Sequence, residues 1–228
     1  MVEKDFPFMA LDKFINIALY DSEVEIHAID LSLASLAYAK RKSQEMNIKN
    51  VQWFQADILK LMDHEESYDL IESVGVLHHL EKPKQGFDIL SKKLNNGGLM
   101  RLGLYSKTYR NLLKPKKEFI KKHNLGKNIQ QIREARRLLM ESLDSQLSMN
   151  VGDLYALSSF IDLLMHEQEC DFSIDDLKDL YELEYNFLGF HFNTNSKQHE
   201  NEQLYRKNFP EDLNIYNIDN WKKIEEKK

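Results

Sequence analysis

Cysteine is nearly absent: Cys170 stands alone among 228 residues. A single thiol excludes an internal disulfide and cannot build a zinc site by itself, and it points to a reducing compartment. No histidine or base lies beside it in sequence, so it reads as an inert, partly buried thiol. Glycine is scarce, with eight residues, and the first is Gly75. No apolar run is long enough to span a bilayer. The opening MVEKDFPFMALDKF lacks the basic-then-apolar order of a signal peptide, so the expected location is cytoplasmic, with no membrane partner. Basic charge is in deficit, 31 Lys and Arg against 37 Asp and Glu, a formal net charge of -6. That balance argues against nucleic acid as the main partner, because phosphate binding wants a basic face.

What is present is an alternation. Hydrophobic residues at 42% allow a sizeable core, and charged residues at 30% suit a water-exposed surface. Leu11, Phe14, Ile15, Ala18 and Leu19 recur at helical spacing over Met9–Tyr20. VEIHAID (24–30) reads as a strand, and Ser32 as the N-cap of a helix with Leu33, Leu36 and Ala37 on one face. Strands follow at VQWFQADI (51–58), YDLIESVG (68–75) and LMRLGLYS (99–106), with a helix at 78–94 and a turn at Asn95-Asn96-Gly97-Gly98. Strands alternating with helices predict an α/β layered sheet with parallel strands and right-handed crossovers. The second half changes character. Residues 107–123 are basic and read as a solvated helix face. Helices are expected at 128–147 and 153–168, the latter capped by Asp153. Another starts at Ser173 with Asp175 and Asp176 in its first turn. A final strand is expected at 184–192, then a polar tail over 193–228 that ends in a frayed KKIEEKK (222–228).

Ligands of open α/β sheets sit at the carboxyl ends of the strands. Those ends carry Asp30, Asp57 with Ile58, Ser73-Val74-Gly75, and Tyr105-Ser106. A carboxylate at Asp30 can accept from both hydroxyls of a ribose, or it can serve the start of the next helix. Asp57 repeats the arrangement one strand later, where it can accept from an adenine amino group while Ile58 packs on the ring. Gly75 lets a ligand approach the backbone closely. His78 and His79 can supply a general base, or one can pack while the other is solvated. A metal is not expected there, because the two point in different directions and no third ligand presents itself. Tyr105 either lines a substrate pocket or finishes its strand.

HAIDLS (27–32), FQADIL (54–59), YDLIESVGVLHHL (68–80) and NNGGLMRLGLYS (95–106), in that order, resemble the class I S-adenosylmethionine-dependent methyltransferases. DLLMHEQECDFSIDDLKDL (162–180) and FLGF (187–190) resemble a bacterial subgroup often fused behind tetratricopeptide repeats. The resemblance spans most of residues 10–192. It implies a Rossmann-like methyltransferase sheet with a helical insertion at about 107–183, in a single domain over 1–192. S-adenosylmethionine is the implied cofactor, and the methyl acceptor is left unspecified. Carried over by position, Asp30 and Leu31 match the ribose-binding acid and its neighbour. Asp57 and Ile58 match the adenine contact, and Ser73, Val74 and Gly75 match the segment near the methionine part. His79 and Tyr105 are the candidate catalytic residues, and no metal is implied.

Two features depart from the family. No glycine-rich turn precedes Asp30, and no strand follows 184–192, so the first and last strands are expected to be missing. Phe6 and Phe8 are expected to enter the gap as a short substitute strand, and an open sheet edge offers a surface for self-association. The glycine-free start also leaves a second reading open, a methyltransferase-fold module that does not bind the cofactor. A nucleotide-binding dehydrogenase fits less well, because it too needs the glycine turn.

Overall fold

The computed structural model describes residues 17–142, 144, 156–166, 169–181, 185–192 and 195–227. The chain forms two compact units, Met1–Cys170 and Asp171–Lys228. No described helix is long and apolar enough to cross a membrane. Phe6, Phe8, Asp153 and most of the helix expected at Met9–Tyr20 lie outside the described residues, and residues 17–20 are helical.

In the first unit, β1 (Ile26–Asp30) pairs in parallel with β2 (Val51–Gln55), and Asp30 stands opposite Gln55. Helix α1 (Leu33–Glu45) links them. The Ser32 hydroxyl accepts from the Ser35 amide at 3.2 Å, the capping bond expected from its position. The helix buries Leu36, Ala39 and Ser43, whereas Leu33 and Ala37 face solvent. The inward stripe is thus rotated from the expected one. β2 stops at Gln55 because Asp57 caps a 3-10 helix, Ile58–Asp63, by accepting from the Leu59 amide at 2.9 Å.

β3 (Tyr68–Val74) pairs in parallel with β4 (Leu94–Gly103). Between them run a 3-10 turn at Leu77–His79 and helix α2 (Pro83–Lys93). Proline opens α2, where its missing N–H costs no hydrogen bond. The Asn95–Gly98 turn signal appears inside β4, as an irregularity: Tyr68 pairs with Leu94, but Leu70 already pairs with Leu99. Among the described residues each sheet has two strands, and no ladder joins β1 to β3. Side chains bridge them instead. The His27 ring nitrogen Nδ1 and the Tyr68 hydroxyl share a hydrogen bond of 3.0 Å, and Phe54 lies 5.1 Å from the His27 ring.

The rest of this unit is helical: α3 (Lys107–Lys122), α4 (Ile129–Glu141) and α5 (Leu157–Leu164). Leu113 and Ile120, Ala135 and Leu139, and Phe160, Leu163 and Leu164 meet in one apolar core. Ser106 caps α3 and Asn128 caps α4. The basic stretch 107–123 is therefore not simply a solvated face. Leu113 and Ile120 turn it inward, and Arg110 and Lys116 on the same side are buried with them.

The second unit contains α6 (Ile174–Tyr181), α7 (Asn195–Asn208) and α8 (Ile218–Glu225). It corrects two expectations. Residues 185–192 are irregular and form no strand. Gly189 takes φ +124, outside strand geometry, and Phe187, Phe190 and Phe192 all pack against the core around Trp221. Positions 187 and 190 on one side break the two-residue alternation that a strand requires. The polar tail is not frayed either. Ile218, Trp221 and Ile224 form a helical stripe that closes on Ile174 and Tyr205.

Candidate functional site

Two groups of side chains gather beyond the carboxyl ends of the strands. The first lies after β1 and β2. Asp30 Oδ1 accepts from the Ser32 amide at 2.7 Å, so this carboxylate tightens the strand-to-helix turn, and its exposed position leaves the other oxygen open to a ligand. Leu31 is 70% exposed. Leu31, Ala56, Asp57, Lys60 and His64 line one open depression, with Gln55 and Asp63 completing it. Asp57 spends one oxygen on its cap. Both acids therefore do the structural work that strand-end acids commonly do, and each retains a second oxygen.

After β3 the chain bends at Gly75, where φ is +77. A side chain there would strain the backbone but would meet no atom within 4 Å, so the space above Gly75 is open. Ser73, just before it, is buried, and its hydroxyl has no hydrogen-bond partner among the described residues. The residues fit an adenosine cofactor on these counts: two strand-end carboxylates, an apolar surface at Leu31, an orphaned buried hydroxyl and an open glycine.

The second group brings together residues from four segments. Tyr105, past the end of β4, donates to Asp162 Oδ2 on α5 at 3.1 Å. Asp162 Oδ1 lies 2.8 Å from His166 Nε2 and 3.9 Å from His79 Nε2. His78 is buried and stacks on Tyr105 with ring centroids 3.7 Å apart. Its backbone carbonyl accepts from the Cys170 amide at 2.8 Å. Burial, aided by the neighbouring His79, pushes the His78 pKa down to about 4, so the ring is neutral near pH 7. Burial, with the Asp162 charge beside it, raises the Tyr105 phenol far above its ordinary value. Tyr105 is thus a protonated phenol and a hydrogen-bond donor near neutrality.

Behind this group lies an ion cluster. The Arg110 guanidinium sits 4.1 Å from the Tyr105 ring centroid, donates to the Leu163 carbonyl at 2.8 Å and pairs with Glu169. Lys117 reaches the same Glu169 oxygen at 2.6 Å. Burial works to raise the Glu169 pKa, but the hydrogen bonds and charges of Lys117 and Arg110 outweigh it and hold the carboxyl below its ordinary value.

The sequence alone assigns no site role to Asp162, His166, Arg110 or Glu169. The one available signal was Asp162-x3-His166, which puts both side chains on one helix face. Their approach to His79 is purely tertiary. Cys170 is part-buried, with its thiol 3.7 Å from the Leu80 carbonyl.

Comparison with known proteins bears on the whole of this architecture. An uncharacterised protein of Synechococcus sp. is 27% identical over 185 residues, which cover 76% of this chain and 44% of that protein. The structure of PKMT2 from Rickettsia typhi in complex with AdoHcy is similar with a TM-score of 0.58 at 18% identity, over 84% of this chain and 41% of that one. A second structure of PKMT2 gives a TM-score of 0.61 at 19% identity with the same coverage. The present chain thus spans less than half the length of these relatives, and at such identities the likeness to PKMT2 shows a shared fold. A family model described as a methyltransferase domain matches residues 12–187, most of the chain including all four strands and both groups of site residues. The chain belongs to that methyltransferase domain family.

Proposed function

We propose that this chain binds S-adenosylmethionine across the carboxyl ends of its strands and transfers the methyl group to an acceptor. The observation that carries the reading is that Leu31 and Asp57 share one open depression, inside the segment matched as a methyltransferase domain. The AdoHcy bound to PKMT2 supports the same cofactor class here. Residues 162–180 add a resemblance to the bacterial subgroup that accompanies tetratricopeptide repeats.

When bound, the cofactor supplies a methyl group on a positively charged sulfur. The free oxygen of Asp30 would accept from the ribose hydroxyls, and Asp57 would accept from the adenine amino group, with Leu31 and Ile58 supplying apolar surface. The Ser73 hydroxyl and the backbone at Val74 and Gly75 would hold the methionine part. His79 and Tyr105 line the acceptor side, and Tyr105 holds the Asp162 carboxylate in place. Rate enhancement comes from holding donor and nucleophile in line, which by itself removes much of the entropic barrier.

The test is calorimetric titration of the chain with S-adenosylmethionine and S-adenosylhomocysteine, beside Asp30→Ala. Saturable binding that Asp30→Ala removes supports the reading. A folded chain that binds neither compound refutes it.

A further inference from the structure

We propose that His79, Asp162 and His166 form a binding site for one divalent transition-metal ion, of which zinc is the natural probe. One ring nitrogen of each histidine and a carboxylate oxygen of Asp162 lie within 4.8 Å of one another. Tetrahedral bonds of about 2.1 Å set neighbouring ligand atoms roughly 3.4 Å apart. The observed separations of 2.8 Å and 3.9 Å from Asp162 Oδ1 lie on either side of that spacing. Only small side-chain rotations are required, and they replace the proton now shared between His166 and Asp162 with the ion.

The ligand chemistry selects the class of ion. Two imidazoles and one carboxylate suit zinc, cobalt, nickel or iron, while calcium and magnesium want oxygen ligands. The outer groups are in place as well. Tyr105 fixes the second oxygen of Asp162, the outer-sphere hydrogen bond that orients a carboxylate ligand. Arg110, which lies over the Tyr105 ring, is already paired with Glu169, which also takes Lys117. Three protein ligands leave a coordination position for water or for a heteroatom of an acceptor. The site stands beyond the carboxyl ends of β3 and β4, where the acceptor side of the proposed reaction lies. Only His79 of the adjacent histidine pair is a ligand; the other two are Asp162 on α5 and His166 just past its end.

The metal-stripped chain is titrated with zinc in competition with a chromophoric chelator, and with cobalt while the visible d–d bands are recorded. The variants are His166→Ala, Asp162→Asn and Tyr105→Phe, with His123→Ala as a remote control and circular dichroism to check folding. His166 is solvent-exposed, so its replacement leaves the fold intact. The expected result is one zinc per chain with a cobalt spectrum of nitrogen and oxygen ligation. His166→Ala and Asp162→Asn lose both, Tyr105→Phe weakens zinc roughly tenfold, and His123→Ala binds as the parent does. No stoichiometric uptake by the parent chain, or uptake that survives either ligand variant, overturns the site. The readout needs neither cofactor nor methyl transfer, so it is independent of the proposed function.

Discussion

The Tyr105 hydroxyl donates to Asp162 Oδ2 at 3.1 Å, tying the end of β4 to helix α5 across 57 residues of chain. Arg110 covers the outer face of the same ring, and His78 stacks on it. Tyr105 thus joins sheet and helices through its ring and aims Asp162 through its hydroxyl. Tyr105→Phe should cost only about 1 kcal/mol, because Asp162 is partly exposed and water can replace the donor. Tyr105→Ala removes the ring as well and should cost about 3 kcal/mol or more. Urea denaturation of the two variants separates the contributions.

Arg110 and Glu169 have side-chain exposures of only 5% and 10%, so removing either leaves an opposite charge stranded in the interior. Glu169→Ala should destabilise the protein by about 3 kcal/mol. The pair also predicts a pH dependence. The folded pKa of Glu169 lies below its ordinary 4.5. Its stabilisation is therefore fully present above pH 4.5 and is lost as the pH falls through the lower folded value. Glu169→Gln should flatten this acid limb in thermal melts taken from pH 6 downward, a range chosen to bracket the ordinary value. An unchanged limb would show that other groups drive acid unfolding.

Asp30 and Asp57 should separate binding from stability. Asp30→Ala removes an exposed turn carboxylate and should abolish calorimetric binding of S-adenosylhomocysteine while leaving the melting curve nearly unchanged. Asp57→Ala also loses the cap on the 3-10 helix and should cost about 1 kcal/mol besides weakening binding. Melting and titration on the same samples check both.

Gly75→Val probes backbone conformation with little steric confusion, because the added atoms enter open space. Holding a branched residue at φ +77 should cost roughly 1–2 kcal/mol. It should also obstruct a ligand that approaches Gly75. The alanine variant should share the strain but obstruct less, which paired stability and titration measurements will show.

In the second unit, Trp221 is buried and packs 4.6 Å, centroid to centroid, from the fully buried Tyr205. Its indole donates to the Ile215 carbonyl at 2.9 Å. Trp221→Ala should destabilise this unit by about 3–5 kcal/mol. The loss should appear as reduced amide-exchange protection of α7 and α8. Unchanged protection there would contradict the assigned core.

The sequence by itself determined the local units of this protein. Apolar runs ending in Asp30, Gln55 and Val74 are strands because β-branched and aromatic residues favour extended backbone, and the helix caps Ser32 and Asp57 and the turn at Gly75 end them. Ser32, Asp57 and Ser106 are caps because their side-chain oxygens satisfy amides that a helix leaves open. Such short-range causes act within a few residues, so they can be read in order along the chain.

Tertiary structure decided what depends on distant partners. Arg110 and Lys116 look like surface charges in a basic stretch, and only packing of α3 against α4 and α5 takes them inside. FLGF has the composition of a strand, yet Trp221 gathers its aromatics onto one side. Tyr105 stands at a strand end where it could line a pocket or simply finish the strand, and the Asp162 carboxylate makes it a donor. His79 gains Asp162 and His166 from a segment more than eighty residues away, an approach that no spacing encodes because it is set by the fold of the chain between them.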